Sequence, residues 1–179
     1  MLAAVPLMIL NTLISITILS MFSPFSLADI GIKPSQGITL TINLLDVASL
    51  IGLVFIHEFL HLIFVPDFLT SDKTFLGITY FGGFVYSEEE VSKSRYILIT
   101  VAPFILLSVI LPGILGILDL LNPLVIALIL LNSLSSGMDM LTLVLVLIKV
   151  PDDVYFTSNG VRTYWKKIDK TFSGTIEDI

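Results

Sequence analysis

Histidine occurs twice in these 179 residues, and both copies fall in one pentapeptide, His57-Glu58-Phe59-Leu60-His61. On an α-helix, residues four apart differ by only about 40° in direction, so the two imidazoles project from one face. Two neutral nitrogens so placed can share one metal ion, and the glutamate between them stands beside the water such an ion carries. The spacing points to metal-assisted hydrolysis, with His57 and His61 as ligands and Glu58 as general base. The bland alternative is that both rings merely pack. It fits poorly, because the motif sits in an apolar stretch, where ionisable groups are costly and usually functional.

A catalytic zinc takes three protein ligands and a water. With no third histidine and no cysteine in the chain, a carboxylate must complete the set. Asp139 is the best placed, because it interrupts a long run of Leu, Val and Ile. Asn132, seven residues earlier, lies about 20° away around a helix, and Ser136 shares that face. A stripe of Asn132, Ser136 and Asp139 in a membrane helix must turn away from lipid. Asn132 and the serines 133, 135 and 136 can also serve as hydrogen-bonding groups between helices. Asp46 shares the face of His57 but lies about 16 Å along the helix, toward an outer interface or a hydrated path. Glu88, Glu89 and Glu90 read as capping and solvated residues, with a loop glutamate left open as a ligand. Asp119 falls in a turn, and Asp67, Asp152 and Asp153 fall in solvated loops.

The elements that must hold these residues are set by composition. The chain is 55% hydrophobic and 13% charged, with a mean hydropathy of +1.00. That is about half the charge of a soluble domain. Nine Lys and Arg against fifteen Asp and Glu, a net charge of −6, exclude a nucleic-acid-binding arm. Disorder and collagen-like repeats are excluded as well. Without cysteine there is no disulfide framework, no thiolate nucleophile and no thiolate metal site. The expected fold is an all-α integral membrane protein of four transmembrane helices, with a short cytoplasmic β-hairpin loop and a short polar C-terminal tail. Spans are predicted at about 2–22, 39–65, 96–117 and 124–148, each near the 20 residues a bilayer requires. They form one core over residues 1–148, followed by a cytoplasmic tail over 149–179.

The first span carries no charge, lacks a basic leader and exceeds the usual apolar run of a signal peptide, so it reads as a retained anchor. The third is predicted to begin early, because Ser87-Glu88-Glu89-Glu90 has the form of a capping box. Pro103 and Pro112 are its expected kinks. The fourth starts after Asn122-Pro123. The β-forming run 74–86 around Gly82-Gly83 predicts a strand or hairpin. In the tail, Ser158-Asn159-Gly160 between two β-forming runs predicts another. Four spans leave Lys33 on one side and Lys73, Lys93, Arg95, Lys149, Arg162, Lys166, Lys167 and Lys170 on the other. Cations favour the cytoplasm, so the protein is expected in the cell membrane, multi-pass, with both termini cytoplasmic.

A span with His-Glu-x-x-His, followed by a later span with Asn132 and Asp139, resembles the site-2-protease class of intramembrane zinc metalloproteases. The closest likeness is to its compact relatives, the small zincin peptidase membrane proteins of bacteria and archaea. Ala102-Pro103-Phe104, opening the third span, adds to the resemblance, which covers about residues 40–165. The chain departs from the usual pattern in having no proline between Asn132 and Asp139, and Met140 where a glycine follows the Asp. The resemblance implies Zn2+ as cofactor and membrane proteins or remnant signal peptides within the lipid bilayer as substrates. It implies that Glu58 takes a proton from the zinc-activated water, while the metal and the Asn132 amide stabilise the oxyanion. The 75–86 segment can hold an opened substrate chain as an added strand, or be an ordinary surface hairpin. Two other classes fit the same residues: a catalytically inactive metal-binding membrane protein, and a metal-handling transporter or sensor. A peptidase of the prenyl-protein type would instead require a glutamate as third ligand.

Overall fold

A computed structural model of the protein describes residues 2–22, 32–33, 37–38, 43–79, 82–158 and 163–167. A turn of 3₁₀-helix, Leu2–Ala4, leads into α1 (Val5–Ser20), with proline in its first turn, where no N–H is needed. Two-residue strands β1 (Ile32–Lys33) and β2 (Gly37–Ile38) pair antiparallel before α2 (Leu44–Leu62). A hairpin of β3 (Thr74–Thr79) and β4 (Gly82–Ser87) follows, with Thr74 opposite Ser87 and Thr79 opposite Gly82. After β5 (Val91–Ser92) come α3 (Lys93–Pro103), a π-helical segment Phe104–Ile110, and α4 (Leu111–Ile117). The chain then turns through Asp119, at φ 55°, into α5 (Pro123–Ser135) and α6 (Gly137–Lys149). Strands β6 (Val154–Ser158) and β7 (Thr163–Lys167) complete an antiparallel sheet in the order β5-β6-β7.

The protein is therefore mostly helical, with small antiparallel sheets. Among the described residues, the four stretches Leu2–Ser20, Leu44–Leu62, Lys93–Ile117 and Pro123–Lys149 are long and apolar enough to cross a membrane. The all-α expectation is too narrow, since the tail hairpin recruits β5 into a three-stranded sheet. Both predicted hairpins have their strands in place, while their turns, at 80–81 and 159–162, lie outside the described residues.

Three boundaries differ from expectation. The capping box lies at the start of α2, not at Ser87–Glu90. There Asn43 Oδ1 accepts the Asp46 N–H and Asp46 Oδ2 accepts the Asn43 N–H, both at 3.0 Å. Asn43 is extended and α2 begins at Leu44; residues 39–42 of the expected span lie outside the described residues. Ser87 instead ends β4, the chain bends at Glu89 without forming a helix, and Val91 pairs with Phe156 of β6. The third helix starts only at Lys93. The fourth span is two helices, broken at Ser136, whose ψ is −4°.

The prolines of the third span bracket its π-helical segment. Each removes one i→i−4 donor, and between them the backbone takes the wider turn, with the Leu111 N–H on the Leu106 carbonyl.

Helix α1 packs against α4, α5 and α6, with Leu19, Ile126 and Ile129 forming a buried cluster. Gly137 permits its closest approach. A Cβ there would collide with the Met8 side chain and lie 3.1 Å from the Met8 backbone N and Cα. Helix α2 is peripheral, packing on α3, α5 and β4 and burying no residue completely. Its outward residues are large and apolar, among them Leu50, Ile51 and Phe55.

The three-stranded sheet is fastened across the ends of α3 and α6 by Val146, Val154 and Phe156. The Tyr96 and Phe156 rings stack with centroids 4.3 Å apart. Lys93 Nζ donates to the Val150 carbonyl at 2.8 Å and to Asp152 Oδ1 at 2.7 Å. This ammonium holds the exposed Asp152 carboxyl below the usual carboxylate range. Replacing Phe156 by Ala removes both the stack and the core contact. The expected loss is about 3 kcal/mol, read as a lower thermal midpoint in detergent. An unchanged midpoint would mean that the sheet does not brace the helices.

Candidate metal centre

His57 and His61 lie one turn apart near the end of α2, their rings 5.1 Å apart and inclined at 76°. Asp139 comes from the first turn of α6. This turn follows the break at Ser136, and its Asp139 carboxylate reaches His57 and His61 of α2. One ligand atom from each of His57, His61 and Asp139 lies within 4.8 Å of the others.

The backbone decides which ring nitrogens are free. Pro103 stands four residues after Ile99 and has no N–H, so the Ile99 carbonyl lacks its helical donor. His61 Nδ1 occupies that carbonyl at 2.8 Å. A carbonyl only accepts, so Nδ1 carries a hydrogen, and in the neutral ring Nε2 presents a lone pair. His57 is fixed through Asn132, whose side chain is buried at 1% exposure. The Asn132 Nδ2 donates to the Pro103 carbonyl at 3.2 Å and to Ser108 Oγ at 2.8 Å. Because the Pro103 oxygen only accepts, the amide must present Oδ1 to His57 Nδ1, 2.8 Å away. His57 Nε2 is then a lone pair as well.

Both lone pairs face the Asp139 carboxylate, with His57 Nε2 3.4 Å from Oδ2 and His61 Nε2 3.6 Å from Oδ1. Charge-assisted N–H···O bonds measure about 2.7–2.9 Å, and these contacts are longer. Tetrahedral zinc with bonds of about 2.0–2.1 Å separates its ligand atoms by about 3.4 Å. Asp139 Oδ2 is moreover buried without a hydrogen-bond partner. Two bare imidazole nitrogens and an orphaned carboxylate oxygen repel one another until a cation joins them. The donor set fits zinc.

The sequence model of the family described as "Putative zincin peptidase" matches residues 50–155, more than half of the chain. The chain belongs to that family. Membership in the zincin peptidases points to a zinc metallopeptidase and supplies the cation that the donor set calls for. The matched region runs from α2 into β6 and leaves α1 outside. No curated protein and no solved structure matches the chain.

Glu58 follows His57 on α2, half-buried and close enough for its charge to act on His57, His61 and Asp139. Asn132 is adjacent too, but both its amide hydrogens are engaged on Pro103 and Ser108, so in this arrangement it orients His57 and offers no donor to an oxyanion. Asp46 caps α2, Glu89 Oε1 accepts the Ser71 hydroxyl at 2.7 Å, and Glu88 donates its N–H to the Lys73 carbonyl. Among the described residues, none of these acids joins the ligand cluster. Beside the centre, α2, the π segment, α4 and α5 border a half-open apolar pocket of about 310 Å³, lined by Gly52, Ile56, Leu107 and Leu128 and reaching Asn132.

Sequence reasoning missed Ser108 and the Ile99 carbonyl. Their signal was present in the prolines four residues later, which mark carbonyls that a helix leaves open.

Proposed function

We propose that the protein is an intramembrane zinc metallopeptidase of the site-2-protease type, cleaving peptide bonds in or near transmembrane segments. The observation that carries this reading is the pair of imidazoles locked with both Nε2 lone pairs on Asp139. His57, His61 and Asp139 are the residues that would hold the ion. When bound, zinc supplies an acidified water and a polarised scissile carbonyl. Glu58 takes a proton from the attacking water and delivers it to the leaving amine. Asn132 and the Ile99 carbonyl keep His57 and His61 in the tautomer that binds. The half-buried setting of the centre and its apolar pocket restrict water and leave room for apolar side chains of a substrate segment.

The outward apolar faces of the four long helices suit lipid. Lys93 and Lys149 stand at the end of their helices where the β5-β6-β7 sheet sits, which supports a cytoplasmic sheet and cytoplasmic termini. His61 lies in the last turn of α2, so cleavage falls nearer that side. A substrate helix must unwind before attack, and the β3–β4 hairpin, packed on α2, suits the opened chain as an added strand.

The test is metal content and cleavage of membrane-span reporters by the full chain purified in detergent. One zinc per chain is expected, with cleavage that a chelator abolishes and zinc restores. A metal-free, catalytically silent protein sinks the reading. Zinc without cleavage leaves a metal-binding membrane protein.

A further inference from the structure

Pro112 stands four residues after Ser108, as Pro103 stands four residues after Ile99. Each proline therefore opens a carbonyl one turn back. The Ile99 carbonyl holds His61, and the Ser108 carbonyl accepts the Ser15 hydroxyl from α1 at 3.0 Å. Ser15 Oγ also lies 2.6 Å from Ser133 Oγ on α5, and Asn11 Nδ2 donates to the Ser133 carbonyl at 3.4 Å. The Ser108 hydroxyl accepts from Asn132 Nδ2, whose amide sets the tautomer of His57. A series of hydrogen bonds, joined through the Ser108 residue itself, thus runs from α1 through the π segment and α5 to Nδ1 of His57, the nitrogen opposite its ligand atom. Ser15, Ser108 and Ser133 are wholly enclosed, with 0% exposure each, so these links are shielded from bulk water.

The direction of the amide matters. Turned over, Asn132 would present Nδ2 to His57 Nδ1, which would then have to accept. The hydrogen would move to Nε2, and the ring would be lost as a ligand. The Pro103 carbonyl, which only accepts, sets the direction of the amide. The Ser108 hydroxyl gives its own hydrogen to the Ile129 carbonyl at 3.5 Å and so accepts the second amide hydrogen. Ser15 holds the backbone that carries Ser108.

We infer that α1 is part of the metal centre: Ser15 and Asn11, through Ser108 and Ser133, are positioning residues that keep the Asn132 amide in the orientation that makes His57 Nε2 a ligand. This inference rests on the zinc reading of His57, His61 and Asp139. It assigns a role to a helix outside the family match, beyond that of an anchor.

The test uses the full-length protein in detergent micelles. Zinc affinity is measured by chelator competition, and site geometry by the visible spectrum of the cobalt(II)-substituted protein. Ser108→Ala is expected to weaken zinc binding by about 10–100-fold, as outer partners of ligating histidines do. Ser15→Ala is expected at the low end of that range, and both variants should shift the cobalt bands. Leu19→Ala removes a wholly buried apolar contact of α1 without touching a hydrogen bond. It should lower the thermal midpoint while leaving zinc affinity and the cobalt spectrum at wild-type values. Wild-type affinity and spectra in Ser15→Ala and Ser108→Ala would overturn the inference while leaving the zinc reading intact. So would a Leu19→Ala variant that loses zinc as readily as Ser15→Ala, because α1 would then act through packing alone. A wild-type protein that binds no zinc overturns the zinc reading and this inference together.

Discussion

Asp139→Ala leaves the protein without zinc at concentrations that saturate the wild type. Asp139 stands against both Nε2 atoms, at 3.4 and 3.6 Å, and is the sole acid that meets them among the described residues. Without it two imidazoles remain, one protein ligand short of the catalytic zinc pattern. Losing an outer partner costs about 10–100-fold in affinity, and losing a ligand should cost more than about 100-fold on the same scale. Stability gives a second readout, since an ion that binds the folded state alone adds about 2.7 kcal/mol at 100 times its dissociation constant. A chelator should therefore lower the thermal midpoint of the wild type but not that of Asp139→Ala. The competing ligands are tested together by replacing Glu88, Glu89 and Glu90 with Gln, which should leave zinc in place. Zinc retained by Asp139→Ala and lost from that triple variant would move the third ligand to the β4–β5 loop.

What could be read without coordinates, and what could not, divides along the range of the interaction. The helical repeat places His57 and His61 on one face, and an acid within a Leu- and Val-rich run stands out as Asp139 does. Both inferences are local. The start of the third helix was misread because Ser87-x-x-Glu90 satisfies a local rule. The pairing of Val91 with Phe156, far along the chain, overrides it. The Asn43–Asp46 box follows the same rule with other residues and was overlooked. Met8 of α1 lies against Gly137 beside the break between α5 and α6, a contact no window around Ser136 contains. The prolines are an intermediate case. That Pro103 and Pro112 open the carbonyls of Ile99 and Ser108 follows from the sequence alone. That His61 and Ser15 occupy those carbonyls needs the packing of helices, as does the finding that Asn132, expected as an oxyanion donor, engages its amide on His57, Pro103 and Ser108.

Glu58→Gln separates the chemistry from the metal. The amide keeps the shape of the carboxylate but cannot take a proton from water, and a positioned general base contributes about 10²–10⁴-fold to a rate. Cleavage of a membrane-span reporter should fall by that factor. Zinc should remain at wild-type stoichiometry, because the Nε2 lone pairs are set by Asn132 Oδ1 and the Ile99 carbonyl, and neither bond involves Glu58. Glu58→Asp keeps the carboxylate but withdraws it by one methylene, so it should fall between Gln and wild type if reach to the water is what matters. Loss of zinc together with activity in Glu58→Gln would make Glu58 part of the binding set. Undiminished cleavage by the Gln variant would remove Glu58 as the base and require another proton acceptor near His57 and His61.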